Sequence, residues 1–591
     1  MAVHQFADFE LNEELHQLRL RGEEVALQPR AFEVLAYLIN NRSRVVDKDE
    51  LLETLWPGVI VTDSSLQRAV SLARSALRSG GLDDAIRTYA KRGYRFMRDV
   101  PPRAGPVTSG DSGNPLDEAY AFVDRGRWAD AAAAFERADG HSRLAPRDLE
   151  NWGMALQCAA RAPAAREPFE RAAEAFSAAD ECESAARAVI SLARIHFETR
   201  EWSVTRGCLR RAANMLDRLP LCEQHGHHAW MTSWLASYEG DLAAMLEHAR
   251  KAWDIGRRLD NVDVEAMGLL FWGMALQASG DAKQGLELQD EAGAAVLTGS
   301  VTPLLGGLVY CGLLGGCCNT GDWPRAGEWC ETFTGWCRRN GMQRFSGPCL
   351  LHRVEVFIAR GELDRAESEL QEGGETIEMS SASVGADAKR FLADVLLLRG
   401  EFDKAETAYR AAYESGSDPH PGYALLLQRR GQPQAAIRAL RRCAEGVAWA
   451  SRERKPLYLA FAATIAAQSG DTDTALEIIG ELERHPDSWT VGTTRAHVQR
   501  AKAEACFAQR DPEQAVRLFR DALRTYQDMD APLEAAQARL RLADALLAVG
   551  DPGGAVLELE SADAVLARSE ARLFLDDCRK LRAALADTQI R

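Results

Sequence analysis

Residues 61–98 read VTDSSLQRAVSLARSALRSGGLDDAIRTYAKRGYRFMR. The first half predicts an amphipathic helix, because Leu66, Val70, Ala73 and Leu77 recur at spacings of 4, 3 and 4 and share one apolar face. Gln67, Ser71, Arg74 and Arg78 fall on another face, with Arg68 and Ser75 beside them. Asp63 or Ser64 supplies an N-cap and Gly80-Gly81 a stop. The second half predicts a β-hairpin: Ile86 to Tyr89, a turn over Ala90 to Gly93, then Tyr94 to Met97. Lys91 and Arg92 sit at its tip and Arg95 follows. A helix with a Gln/Arg face and a basic-tipped hairpin has the parts to read a major groove and touch a neighbouring minor groove.

The residues upstream complete a small α+β domain. Short alternating runs over 4–27 (HQFADFEL, HQLRL, EEVAL) predict a small antiparallel sheet. Pro29 opens the helix RAFEVLAYLINN, whose inner stripe is Phe32, Leu35, Ala36 and Ile39. Asp47, three residues before Glu50, is an N-cap for ELLETLW, and Pro57-Gly58 ends that helix. A winged helix-turn-helix follows from this order of elements.

LQPRAFEVLAYLINN, VVDKDELLETLWPG, VTDSSLQRAVSLARSAL and IRTYAKRGYRF resemble the OmpR/PhoB-type winged-helix DNA-binding domain. The AKRGYRF wing and the DSSLQRAVSLAR helix look closest to acid-response activators of the CadC type. The resemblance covers about the first 100 residues and implies double-stranded promoter DNA as a partner. By position, it implies that Gln67, Arg68, Ser71, Arg74 and Arg78 face bases and phosphates. Lys91 and Arg92 would then reach the minor groove or its rim, and Thr88 and Tyr94 the backbone. It also implies that the Pro57–Val61 loop is the one that meets RNA polymerase. Two departures matter: no receiver domain precedes the winged helix, and no transmembrane segment follows it directly. Aspartyl phosphorylation and membrane sensing are therefore not the expected switches.

Residues 100–115, VPPRAGPVTSGDSGNP, are rich in Pro, Gly and Ser and read as a flexible linker between a 1–99 domain and a 116–591 repeat region. Beyond it a helix repeatedly ends at Gly-Asp or Gly-Glu and a second soon starts with Ala: Gly240, Gly280, Gly321, Gly361, Gly400, Gly431, Gly470, Arg510 and Gly550. The intervals are 40, 41, 40, 39, 31, 39, 40 and 40 residues, with weaker copies at Gly126, Arg161 and Arg200. Six residues, WGMALQ, recur from Trp152 and from Trp272. A fixed period of this size means a solenoid of helix pairs. Gly supplies the left-handed residue that closes the first helix. Asp364, Asp403 and Asp473 are placed to cap the second, and Ala366, Ala405 and Ala475 let paired helices approach. The region resembles tetratricopeptide repeats (TPR) in a roughly 40-residue form. About 12 such repeats would wind a superhelix whose groove takes a protein, a peptide or a small-molecule effector. The fold class is thus mainly α: a winged helix (α+β) followed by an α-solenoid.

Charge separates the two regions. Of 71 Lys/Arg and 87 Asp/Glu, residues 1–100 hold 14 and 15, while residues 61–98 alone hold eight and three. An acidic body with one small basic face excludes a general polyanion binder and points to a local DNA site. The first residues, MAVHQFADFE, are not a signal peptide. Thirteen scattered cysteines suit a reducing cytoplasm better than a disulfide scaffold. The uncharged stretch Gly293 to Gly321 falls in register with the repeats and is read as a repeat, not a membrane span.

No phosphate loop, H-E-x-x-H, C-x-x-C or nucleophile elbow occurs, so no enzyme and no cofactor is expected. Cys222, His225, His227 and His228 in CEQHGHH are candidate zinc ligands, though a polar inter-helix turn is the preferred reading. Cys311, Cys317, Cys318, Cys330, Cys337 and Cys349 crowd one region as candidate thiol sensors, or as small buried residues. Trp128, Trp202, Trp323 and Trp329 fall near turns, and Trp152, Trp230, Trp234 and Trp272 in first helices, mostly as core. The reading that joins these parts is a cytoplasmic, sequence-specific transcriptional regulator whose repeats sense an effector or partner and serve as the place to form a homodimer. The rival is a TPR adaptor with the winged helix as a docking module.

Overall fold

The computed structural model describes residues 3–6, 9–12, 17–20, 23–25, 29–40, 46–48, 50, 51, 66, 70, 73, 74, 76, 77, 82, 85–89, 93–97 and 114–590, except 299, 300, 343–346, 380, 381 and 447–453. The chain divides into two compact units, Met1–Ser112 and Gly113–Arg591.

In the first unit β1 (Val3–Phe6), β2 (Phe9–Asn12), β3 (Gln17–Leu20) and β4 (Glu23–Val25) form an antiparallel sheet in that order. The run HQFADFEL is two strands rather than one, with Phe6 opposite Phe9. α1 (Pro29–Asn40) follows, and β5 (Ile86–Tyr89) pairs with β6 (Gly93–Phe96). Gly93 joins the strand where a turn is expected, because it pairs across the ladder with Tyr89. Val46 and Tyr94 exchange backbone hydrogen bonds of 2.8 and 2.9 Å, adding a bridge to the hairpin. Leu66, Val70, Ala73 and Leu77 are each at most 1% exposed, so the predicted stripe is the buried face. They close a core with Phe9, Leu11, Phe32, Leu35, Ile39 and Phe96. Burying each Leu or Val contributes about 1.5–3 kcal/mol.

The second unit is a string of helices from Pro115 to Ile590, each packed chiefly on its predecessor and successor. Asn114 accepts a hydrogen bond from Leu116 N–H and caps the first of them. All nine strong turn positions in the sequence pattern have positive φ, between 65° and 101°. The left-handed residue of the weaker Arg161 copy is instead Ala160, at 60°. Further left-handed turns at Asp180, Asp260, Asp530 and Glu570 lie between the anticipated ones and close the second helix of their four pairs.

The caps require a correction. Asp473 and Asp403 lie inside their helices, and so does Asp364; the capping residue is the one directly after the left-handed position. Asp471 accepts from Thr474 N–H, Asp241 from Ala244 and Asp551 from Gly554. The residue after the left-handed position has φ between −85° and −109° and ψ between 60° and 88°, outside the helical region, so the N-cap comes at once. Asp364 and Asp403 instead lie in the first helical turn, where the helix dipole favours a carboxylate, and pair with Arg399 and Arg430. Ala366, Ala405 and Ala475 are fully buried at helix contacts. The repeated WGMALQ has a packing reason: a Cβ on Gly273 would lie 2.5 Å from the Gly285 carbonyl oxygen of the next helix.

Successive superhelical turns also touch. Trp128 Nε1 donates to the Asn340 carbonyl, 212 residues away, at 2.9 Å. Thr493 N–H donates to the Gly321 carbonyl at 3.2 Å. Arg360 pairs with Asp530 at 2.8 Å, and Arg429 with Asp577. Among the described helices, Pro303–Thr320 is the one long and apolar enough to cross a membrane; it is a member of this array and more than half buried there.

Candidate functional site

Of the residues expected to meet DNA, Gln67, Arg68, Ser71, Arg78, Lys91 and Arg92 lie outside the described residues, as does the Pro57–Val61 loop. Arg74 is half-buried, and its Nε and Nη2 both donate to the Ile86 carbonyl, at 2.9 and 2.7 Å. It ties the helix to the first strand of the hairpin. Tyr94 is 4% exposed and holds the Val46 bridge with its backbone, so its ring belongs to the core. Thr88 stands opposite Tyr94 in the ladder. The register also pairs Arg87 directly with Arg95, both half-exposed. Like charges facing each other across a ladder are unfavourable alone, and an anion between them offsets the cost. The alternation of the strand places that pair, but only a known register shows it.

The repeats line a second candidate. A cavity of about 1270 Å³ opens on the inner face of the superhelix. One wall is aromatic: Phe197 lies 5.3 Å from Trp202, 4.3 Å from Trp234 and 5.0 Å from Tyr238, ring centre to ring centre. Tyr238 remains half-exposed within it. Another part of the lining is ionic. Arg454 holds both oxygens of Glu355 at 3.0 and 3.2 Å and donates to Asn319 at 2.9 Å. Burial pushes Asp394, behind this wall, up to about 6 against the pull of Arg390. Trp202 and Trp234 therefore face the cavity, whereas Trp128, Trp152, Trp230 and Trp323 are buried. Such a space suits a ligand with an apolar body and a polar end.

Of the CEQHGHH residues Cys222 and His225 meet, Sγ to Nδ1 at 3.4 Å, while His227 and His228 are turned to other partners. Cys222 is the N-cap of helix Glu223–Glu239, and its backbone N–H donates to His225 Nδ1 at 3.2 Å. His227 Nδ1 accepts from Trp230 Nε1 at 3.0 Å, and His228 Nε2 meets the Leu209 carbonyl at 3.0 Å. Neighbours on a helix point in different directions, so density in sequence is not convergence in space. The crowded cysteines are mostly buried, and burial pushes Cys330 and Cys337 up to about 12. Thiols held that far from ionisation are poor nucleophiles.

Comparison with known proteins agrees with this division. Residues 22–96 match the family model "Transcriptional regulatory protein, C terminal". Residues 353–420 and 500–567 match a tetratricopeptide repeat model. Over 88 residues the chain is 30% identical to the transcriptional activator CadC of Escherichia coli, covering 15% of this chain and 17% of CadC. It is 33% identical over 88 residues to the phosphate regulon transcriptional regulatory protein PhoB of Rhizobium meliloti, covering 15% and 39%. It is 33% identical over 107 residues to the transcriptional regulator HilA of Salmonella typhimurium, covering 17% and 19%. The chain thus spans well under half the length of each of these relatives. It carries a transcriptional-regulator DNA-binding domain of the OmpR/PhoB type at its N-terminus and tetratricopeptide repeats in its C-terminal region.

Proposed function

We propose that this protein is a sequence-specific transcriptional regulator of the cytoplasm whose superhelix receives an effector and adjusts promoter binding. The observation that carries the reading is the pairing of a DNA-binding domain with a repeat array that carries an open cavity of about 1270 Å³. A concave space with aromatic and ionic linings suits a ligand better than a flat scaffold surface does. Gln67, Arg68, Ser71 and Arg78 read base edges and phosphates; Lys91 and Arg92, with Arg87 and Arg95, hold the backbone. Phosphate contacts position the protein and base contacts specify the site. Arg74 contributes mainly by fixing the hairpin against the helix. The Pro57–Val61 loop is assigned to RNA polymerase and the repeats to pairing two copies. The domain itself carries no catalytic step.

Titration of a bound promoter at one salt concentration tests this. Arg68→Ala is expected to weaken specific binding by about 1–3 kcal/mol. Full-length protein is expected to bind a two-half-site promoter about tenfold more tightly than residues 1–100, because pairing raises the effective concentration of the second domain. Equal affinities, with no effect of Arg68→Ala, would overturn the reading in favour of an adaptor.

A further inference from the structure

The ionic side of the cavity holds two places where three metal-binding side chains meet. Ligand atoms of Cys318, His352 and Glu355 lie within 4.8 Å of one another, as do those of Asp418, His420 and Cys443. The two differ in what already occupies them. Glu355 has both oxygens on the Arg454 guanidinium, so a cation entering there meets a fixed positive charge. Cys318 is sealed in the core and directs its thiol at the His352 carbonyl, 3.8 Å away.

At the second place no fixed cation among the described residues pairs with the carboxylate, and one donor is unspent. His420 Nδ1 is buried and has no hydrogen-bond partner, a costly state for an imidazole nitrogen. The Cys443 sulfur lies 3.5 Å from Asp418 Oδ1, which also accepts the His420 backbone N–H at 3.1 Å. All three residues line the cavity, and Asp418 is exposed to it. They come from two segments. Asp418 and His420 lie between helices Phe402–Glu414 and Gly422–Arg429, and Cys443 lies in helix Pro433–Gly446.

We propose that Asp418, His420 and Cys443 bind a zinc(II) ion on the cavity wall, with its fourth position open to the cavity. Imidazole, thiolate and carboxylate together are a zinc donor set; magnesium and calcium ask for oxygen throughout. Bonds of about 2.0–2.3 Å in a tetrahedron place ligand atoms roughly 3.3–3.8 Å apart. The Cys443–Asp418 separation already falls in that range, and the other ligand pairs lie within 4.8 Å. On binding, the Cys443 thiol proton passes to solvent and the sulfur–metal bond replaces it. Thiolate and carboxylate then neutralise the dication, and nearby Arg442 remains as the local positive charge. The ion joins the loop after one helix to the helix two elements later, so it fixes this part of the wall whatever ligand the cavity takes.

The test uses full-length protein freed of metal by a chelator, with cobalt(II) as a coloured stand-in for zinc(II). One equivalent should give intense tetrahedral ligand-field bands and a thiolate-to-cobalt band, both displaced by zinc(II). Cys443→Ser should remove the thiolate band, and His420→Ala should weaken cobalt binding at least tenfold, each with an unchanged circular dichroism spectrum. Cys318→Ser should leave the spectrum intact. If Cys443→Ser does not fold, His420→Ala together with Cys318→Ser decides between the two places. Absence of tetrahedral bands, or bands that survive Cys443→Ser and His420→Ala but vanish with Cys318→Ser, overturns the site.

Discussion

The turns at Gly341 and Gly550 share one local design and meet different surroundings. Both have positive φ, 66° and 84°, and both follow a helix. At Gly550 an added Cβ would find open space. At Gly341 it would lie 1.9 Å from the carbonyl oxygen of Gly126, in the preceding superhelical turn. Gly550 answers only to its own backbone; Gly341 also answers to a partner far along the chain. The difference teaches that the solenoid is held by two kinds of bond. Stacking joins neighbours and follows from periodicity, whereas a seam joins turns and follows from the pitch of the whole coil.

The largest expected effect comes from the ionic tie on the cavity wall. Arg454→Ala leaves Glu355 on the cavity wall without its guanidinium, and should cost about 3 kcal/mol. Chemical denaturation followed by Trp fluorescence would measure it; a loss below about 1 kcal/mol would show that the tie is a solvated surface pair. Gly341→Ala is next, at about 2–3 kcal/mol, from left-handed strain plus displacement of the Gly126 backbone. Its signature is faster amide exchange on both sides of the seam. Gly550→Ala should cost about 1–2 kcal/mol from strain alone, with exchange changed only locally. Equal losses at the two glycines would erase the distinction.

The smallest effect concerns Glu534, outside the seam. Burial pushes its carboxyl up to about 7, and one of its oxygens has no partner. A raised folded value means that this group's stabilising contribution is complete below about 4.5 and is lost as pH climbs through about 7. Glu534→Gln should therefore stabilise the protein by about 1 kcal/mol at pH 8 and by nothing at pH 4, read as the difference in Tm.

These contrasts mark how far the sequence carries. Leu66, Val70, Ala73 and Leu77 announced their buried face because a helical period is local. Gly240 to Gly550 announced their turns because glycine is the cheapest left-handed residue. Asp180, Asp260 and Glu570 make the same turn without glycine, and nothing in their spelling shows it. The Arg74 contact with Ile86 was hidden by the facing rule, which places a residue on a helix but not the reach of a long side chain. The seam was invisible because its partners, such as Trp128 and Asn340, have no shared motif. Asp418, His420 and Cys443 likewise meet only after two helices fold between them, whereas the conspicuous His225–His228 run disperses.

The seam also has a mechanical meaning. A coil whose turns touch behaves unlike an open spring when its ends are pulled. Extension first parts the contacts at Trp128–Asn340, Arg360–Asp530 and Arg429–Asp577, all of which carry load side by side. Only afterwards can the helix pairs peel off one at a time. A force–extension trace of the superhelix should then open with a single stiff rupture and continue as a low, regular plateau. A ligand lodged in the cavity wall would raise the first feature and leave the second alone.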